Sequence, residues 1–247
     1  MKGLWKLTRI ETLLYLREPM ATFFTLVFPL LLLFLFGSIY GNKPTPFFGG
    51  RGSVDVSTPA YMAIIIGSTA LMSIPIRICG YRERGVLRRF RATPLQPGAV
   101  IFAEIAIHYV MTLLGAVLLV VAARFVYHLN FGGNAALVFL AFTLGTLSFF
   151  AGGFLLASLA PTSRVAYIVG MVLYFPHLFL SGATFPKEMF PESIRSIAQF
   201  IPMTHVVSLL QGLWFGEPWG RYLTATLVLG GLLVAGAAVS ALTFRWE

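Results

Sequence analysis

Charge is what this 247-residue sequence has least of. Asp, Glu, Lys and Arg make up 11% of it, against roughly 25% in a soluble domain. With 57% hydrophobic residues and 23 Phe, and a mean hydropathy of +0.83, too few polar side chains remain to coat a water-soluble globule. The solvent for most of the surface is therefore lipid. A single cysteine, Cys79, excludes an internal disulfide framework and a Cys-rich metal site. A single aspartate, Asp55, excludes enzymes that hold a divalent cation between paired aspartates in the membrane. None of the four lysines, Lys2, Lys6, Lys43 and Lys187, follows a glycine, so the chain has no phosphate-binding Walker loop with which to hydrolyse ATP. Neither HExxH nor GxSxG occurs. His108, His128, His177 and His205 lie on four different segments, without the spacing that sets two metal ligands on one helix face, and no metal is expected. The net charge of +9 would by itself suit a nucleic-acid binder, but a basic face needs a polar surface that this composition lacks. No nucleic acid is expected among the partners.

Long uncharged runs are what the sequence does have: Pro19–Asn42, Val56–Ile76, Ile105–Ala123, Phe125–Ser163, Val165–Pro186, Ser196–Gly216 and Tyr222–Phe244. A bilayer span takes about 20 apolar residues. The 39 residues of Phe125–Ser163 would make a helix of roughly 58 Å, nearly twice the hydrocarbon thickness, so the run must break. His128–Asn134, with Gly132 and Gly133, supplies the turn. Ser196–Gly216 carries Gln199, Pro202, Thr204, His205, Ser208 and Gln211 and reads as a dipping segment covered by protein, not as a seventh span. The expected fold is all-α integral membrane, a single transmembrane domain with six spans at 19–41, 58–78, 98–126, 135–160, 165–185 and 222–244.

Sorting Lys and Arg by side places twelve on the face that carries Lys2 to Arg17, Arg77 to Arg91, Arg164 and Arg245, and six on the other. Both termini are then cytoplasmic. The first 18 residues carry four cations and precede a first span too long for a signal h-region, so no cleavable signal is expected. There Leu4, Leu7, Ile10 and Leu14 recur at helical spacing, as in an amphipathic helix lying on the membrane surface.

Three places could carry function. Glu104 and His108, four apart within the third span, share one helix face, and read either as a proton relay or as a structural polar contact near the cytoplasmic mouth. The loop 80–93, GYRERGVLRRFRAT, is the densest charge cluster. A positive-inside anchor accounts for its arginines. Val86 and Phe90, at i and i+4, add the pattern of a short amphipathic helix that docks on another protein. The stretch 181–214 breaks the fifth helix at Gly182 and Pro186 and places Phe190, Ile194, Ile197 and Phe200 on one helical side before Pro202. It reads as an external loop or as a lid over a pathway.

In combination and order, the N-terminal surface helix, ERGVLRRFRATPL after the second span and SGATFP to IPMTHVV before the sixth resemble the permease subunits of type-2 ABC exporters. This bacterial family of drug, lipid and polysaccharide exporters works with a separate ATPase. The resemblance implies a coupling helix at Glu83 to Phe90, with Arg82, Glu83, Arg84, Val86, Leu87, Arg88, Arg89 and Phe90 meeting the nucleotide-binding subunits. It implies an external re-entrant gate within 187–216, with Phe185, Pro186, Phe190, Ile194, Ile197, Phe200, Pro202 and His205 at or beside it. Many members carry a basic residue early in the third span, where this chain has Glu104.

The expected protein is not catalytic alone and binds no cofactor itself, ATP and Mg belonging to the partner ATPase dimer. A second permease copy or homologue would complete a pathway for an amphipathic, drug-like or lipid-linked substrate across the bacterial cytoplasmic membrane. Phe28, Tyr61, Tyr167, Tyr174 and Phe175 are candidates to line it, although such aromatic stripes also serve packing and lipid contact. The rivals are a secondary transporter or channel acting alone, which needs midplane carboxylates or an inverted repeat, and an intramembrane enzyme, for which no nucleophile and base stand at recognised spacing.

Overall fold

The computed structural model describes residues 18–86, 97–185 and 189–243. These residues form helices joined by turns: α1 (Phe23–Tyr40), α2 (Ser53–Glu83), α3 (Pro97–Tyr127), α4 (Ala135–Leu159), α5 (Ser163–Leu180), α6 (Glu192–Ala198), α7 (Pro202–Trp214) and α8 (Leu223–Thr243). A single turn, Pro19–Thr22, leads into α1, and a 3-10 turn, Trp219–Tyr222, leads into α8. α1 to α5 and α8, with the 3-10 turn before it, are long and apolar enough to cross a membrane, which makes this the expected six-span, all-α membrane fold.

The break in the long uncharged run lies where the glycines and asparagines put it. His128 takes a left-handed φ of 53° at the end of α3, and the Asn134 side chain caps α4 by accepting from the Ala136 and Leu137 amides at 2.9 and 3.4 Å. α2 extends past both ends of 58–78, because Asp55 and Arg77 are buried within the helix instead of bounding it. α5 stops at Leu180, and Gly182, at φ 84°, carries the chain out of it.

α2 is the centre of the bundle. Its most apolar stretch is 94% buried inside the protein, against 22–50% for the other spans. α1, α3, α4, α5 and α7 all pack directly on it, while α8 lies outside that ring against α4 and α7. Lipid gives no hydrophobic drive to such packing, so close approach of small residues must supply the contact.

Proline sets where that close approach occurs. Pro29 and Pro75 lack the N–H that would bond Thr25 and Leu71 four residues back. In each case the preceding turn relaxes to a π turn, Phe23–Val27 in α1 and Thr69–Ser73 in α2, closed by Phe28 N–H to Phe23 O and Ile74 N–H to Thr69 O. The two π turns face each other, with Thr25 and Thr69 hydroxyls 3.3 Å apart and the Ser68 hydroxyl donating to Phe24 O at 3.3 Å. Glycines of neighbouring helices cover the displaced carbonyls: a Cβ on Gly115 would press on Thr25 O, one on Gly153 would overlap Ala70 O, and one on Gly170 would overlap Leu71 O. By contrast, a Cβ on Gly152 would meet nothing within 4 Å.

Gly153→Ala should therefore destabilise the chain by about 1–3 kcal/mol through overpacking, while Gly152→Ala should be neutral or stabilising by up to about 1 kcal/mol. Thermal unfolding of the purified variants in detergent measures the difference, and equal effects at the two positions would contradict this packing.

Candidate functional site

The charged end of the bundle is built where α2 meets the turn between α4 and α5. Helix ends leave carbonyls at the C-terminus and amides at the N-terminus without partners, and they attract cations and anions respectively. Arg82 and Glu83, the last residues of α2, meet both needs. The Arg82 guanidinium donates to Ala157 O at 3.4 Å and to Ala160 O, at the C-terminal end of α4. The Glu83 carboxylate accepts from the Ser163 amide at 2.9 Å and the Ser163 hydroxyl at 2.7 Å, at the first turn of α5. The Thr162 hydroxyl caps the same turn through the Val165 amide at 3.2 Å. Two adjacent side chains of opposite charge thus fasten the end of α2 to the α4–α5 turn.

Glu83 closes α2 instead of opening a separate helix, and Gly85 turns the chain at φ 65°. Arg84 is exposed, with its Nε donating to Gly80 O at 3.1 Å. Val86 is half-buried. Leu87, Arg88, Arg89 and Phe90, like the surface helix expected before residue 18, fall outside the described residues.

Further into the bundle, Glu104 is joined to a cation that charge counting had assigned to the flank. Arg77 Nε lies 3.1 Å from Glu104 Oε2, both side chains being almost fully enclosed, and Nε also donates to the Tyr81 hydroxyl at 2.9 Å. Arg77 reaches Glu18, ahead of α1, at 3.4 Å. His108 Nδ1 lies 2.9 Å from Glu104 O and 3.5 Å from Glu104 Oε2. Glu104 and His108 thus belong to a buried polar cluster whose ion pair joins α2 to α3 and reaches the segment ahead of α1. The signal for Arg77 was in the sequence, because Ile76, Ile78 and Cys79 continue an apolar helix on either side of it.

At the opposite end Asp55 is the junction. Its carboxylate accepts from Asn42 Nδ2 at 2.8 Å, from the Asn130 amide at 2.8 Å and from Asn130 Nδ2 at 3.2 Å, while Asn42 Oδ1 accepts from the Asp55 amide at 3.1 Å. Asn42 Nδ2 also reaches Tyr127 O at 3.2 Å, and Trp214 Nε1 donates to Asn130 O at 3.2 Å. The ends of α1, α3 and α7 are so gathered at the first turn of α2. The lone aspartate, read only for what its solitude excludes, is a structural hub.

α7 spans about 20 Å at 1.5 Å per residue, too short to cross. Met203, at its start, packs on Gly67 midway along α2, and Gln211 Nε2 donates to Val56 O at 3.0 Å near the Asp55 end. α7 therefore rises from mid-depth of α2 to its Asp55 end, buried along most of its length. Pro202 begins it, and His205 Nε2 lies 3.0 Å from Gln199 O. Before it, α6 buries only Ala198, and Phe190 and Ile194 are half-buried. Ile197 and Phe200 stand 58% and 87% exposed, so the expected apolar side of this helix is uncovered within one protomer. Phe185 lies against Phe36 and Phe179, and Pro186 falls outside the described residues.

Tyr61 and Tyr174, expected to line a pathway, are enclosed in the core, Tyr174 edge-on to Phe24. Phe28 and Tyr167 are half-buried. Phe175 is exposed and stacks on Phe179. Together with Phe23, Val27, Leu31 and Phe34 of α1 and Ile168 and Val172 of α5, they leave an apolar surface on one flank of the bundle.

Removing one member of a buried ion pair strands the other charge, at a cost of about 3–5 kcal/mol. Arg77→Met and Glu104→Gln should each lose stability on that scale, and the double variant should recover most of it. A thermal-unfolding cycle measures the coupling, and additive losses would contradict the pairing.

The sequence matches the family of ABC-2 type transporters over residues 2–215. It is 23% identical over 230 residues to the transport permease ycf38 of Porphyra purpurea, covering 92% of this chain and 79% of that one. It is 24% identical over 210 residues to the inner membrane transport permease YhhJ of Escherichia coli K12, covering 83% and 53%. With the linearmycin resistance permease protein LnrN of Bacillus subtilis it shares 25% identity over 197 residues, covering 78% and 49%. The chain thus spans about half the length of the last two relatives. Six apolar spans around a buried central helix, with a family match across nearly the whole sequence, make the chain a member of the ABC-2 type transporter family, a membrane transport subunit and not an enzyme in its own right.

Proposed function

We propose that the chain is the membrane subunit of an ATP-driven exporter that moves an amphipathic, drug-like or lipid-linked substrate outward across a bacterial cytoplasmic membrane. The carrying observation is the clamp at the Glu83 end, where Arg82 and Glu83 fasten the last turn of α2 to the α4–α5 turn. A push on the arginine-rich loop that follows would move α2 and that turn as one body, and α2 packs on α1, α3, α4 and α5. The twelve-to-six distribution of Lys and Arg supports a cytoplasmic position for this end, where an ATPase dimer would meet it.

On this reading α6 and α7 form a re-entrant hairpin at the outer mouth, consistent with the start of α7 against Gly67 and its end beside Val56. The exposed apolar flank of α1 and α5 suits a second copy or a homologous permease, with the substrate route between the two. YhhJ is named an inner membrane transport permease and LnrN a linearmycin resistance permease protein, which supports a transport role in a membrane.

Arg84 is exposed, and among the described residues its side chain meets only its own helix, at Gly80 O and the Tyr81 ring, so reversing it should leave the fold intact. Arg84→Glu combined with Arg88→Glu should reduce copurification of the partner ATPase at least tenfold while the chain still reaches the membrane. Undiminished copurification would overturn the coupling assignment.

A further inference from the structure

A cavity of about 460 Å³ opens at the Asp55 end, between the loop joining α1 to α2, the second half of α7 and the turn before α8. Its volume falls in the range of small-molecule sites, about 300–1,000 Å³. Its lining is apolar at Phe48, Val56 and Phe215 and polar at Arg51, Gln211 and Glu217.

Its lining carries one cation, Arg51, and one anion, Glu217, and the two are held differently. Glu217 is already satisfied: its Oε2 accepts from the Tyr222 hydroxyl at 2.9 Å and lies 3.2 Å from Arg221 Nη1. The Tyr222 hydroxyl first, then Arg221 and the more distant charge of Arg51, hold this carboxyl below the usual carboxylate range. The Gln211 amide is committed through Nε2 to Val56 O at 3.0 Å. Arg51 differs. Its guanidinium carbon sits 3.6 Å from the centre of the Phe215 ring, and among the described residues the guanidinium has neither an ion pair nor a hydrogen bond. A stacked guanidinium is held by its face, which leaves its in-plane N–H groups to grip an oxyanion with two parallel bonds. The backbone fixes it there: Arg51 pairs with Thr45 across the loop, the Thr45 amide donating to Arg51 O at 3.2 Å.

From this geometry we infer that the cavity is a binding site for the anionic group, phosphate or carboxylate, of an amphiphile whose apolar part lies along Phe48, Val56 and Phe215. The site does not depend on the transport reading, since binding here needs neither an ATPase nor a second copy. Phosphate chemistry has two sources, a free anion and the head of an alkylated molecule, and the probes separate them.

The test is calorimetric titration of the full chain in phosphatidylcholine nanodiscs with hexyl phosphate, hexyl glucoside and inorganic phosphate. Hexyl phosphate should bind one saturable site, and Arg51→Gln should weaken it at least tenfold. Ser208→Leu, which narrows the cavity from α7 and leaves the Arg51 side chain unchanged, should weaken it as well. Competition by inorganic phosphate at millimolar concentration would assign the site to free anions, and its absence to amphiphile heads; either supports anion capture by Arg51. Equal affinity of the wild type and Arg51→Gln for hexyl phosphate, equal affinity of the wild type for hexyl glucoside, or no saturable binding would overturn it.

Discussion

Everything in this bundle depends on the burial of α2. A helix enclosed by five neighbours can give few of its polar groups to water, so most need a partner inside the protein, on its own turns or on another helix. Asp55 gathers two asparagines at the first turn, Thr69 meets Thr25 at mid-depth, Arg77 meets Glu104 lower down, and Arg82 and Glu83 reach the ends of α4 and α5. The polar residues of one helix thereby set the depth of four others. Apolar packing alone would let helices slide along one another in lipid; these pairings fix their register.

Much of the fold could be read from the sequence, because the bilayer imposes a length on every apolar run. The six spans and the break at His128–Asn134 follow from counting residues between charges. The same rule misleads where a charge is buried. Asp55 and Arg77 read as boundaries, although both lie within α2, and nothing local marks their partners, since Asn130 and Glu104 lie 75 and 27 residues away along the chain. The π turns were equally hidden. Pro29 and Pro75 are visible in the sequence, but that their freed carbonyls would be received by Gly115 and Gly170 depends on the packing of helices distant along the chain.

The site residues divide along the same line. Arg82 and Glu83 were singled out for an interaction with another protein, and their observed bonds are internal, to the helix ends beside them. This does not oppose a coupling role; it supplies the joint that such a role requires, because force on the loop can reach α2 only through a fixed last turn. Tyr61 and Tyr174, chosen as pathway residues for their aromaticity, occupy the core, where large rings fill the space between α1, α2 and α5. Phe23 and Phe34 on α1 and Phe175 and Phe179 on α5 are among the aromatic residues left exposed instead.

The enclosure of α2 also bears on the rival reading. A carrier working alone needs a carboxylate that can load and release an ion near the midplane. Among the described residues the span carboxylates are Asp55 and Glu83 at the two ends of α2 and Glu104, which is held by Arg77. The most direct measurement is flux into proteoliposomes containing the chain alone or together with its partner ATPase, using a fluorescent amphiphile as cargo. The account predicts no flux from the chain alone and ATP-dependent movement with the partner present. Downhill or ion-driven flux from the chain by itself would contradict it.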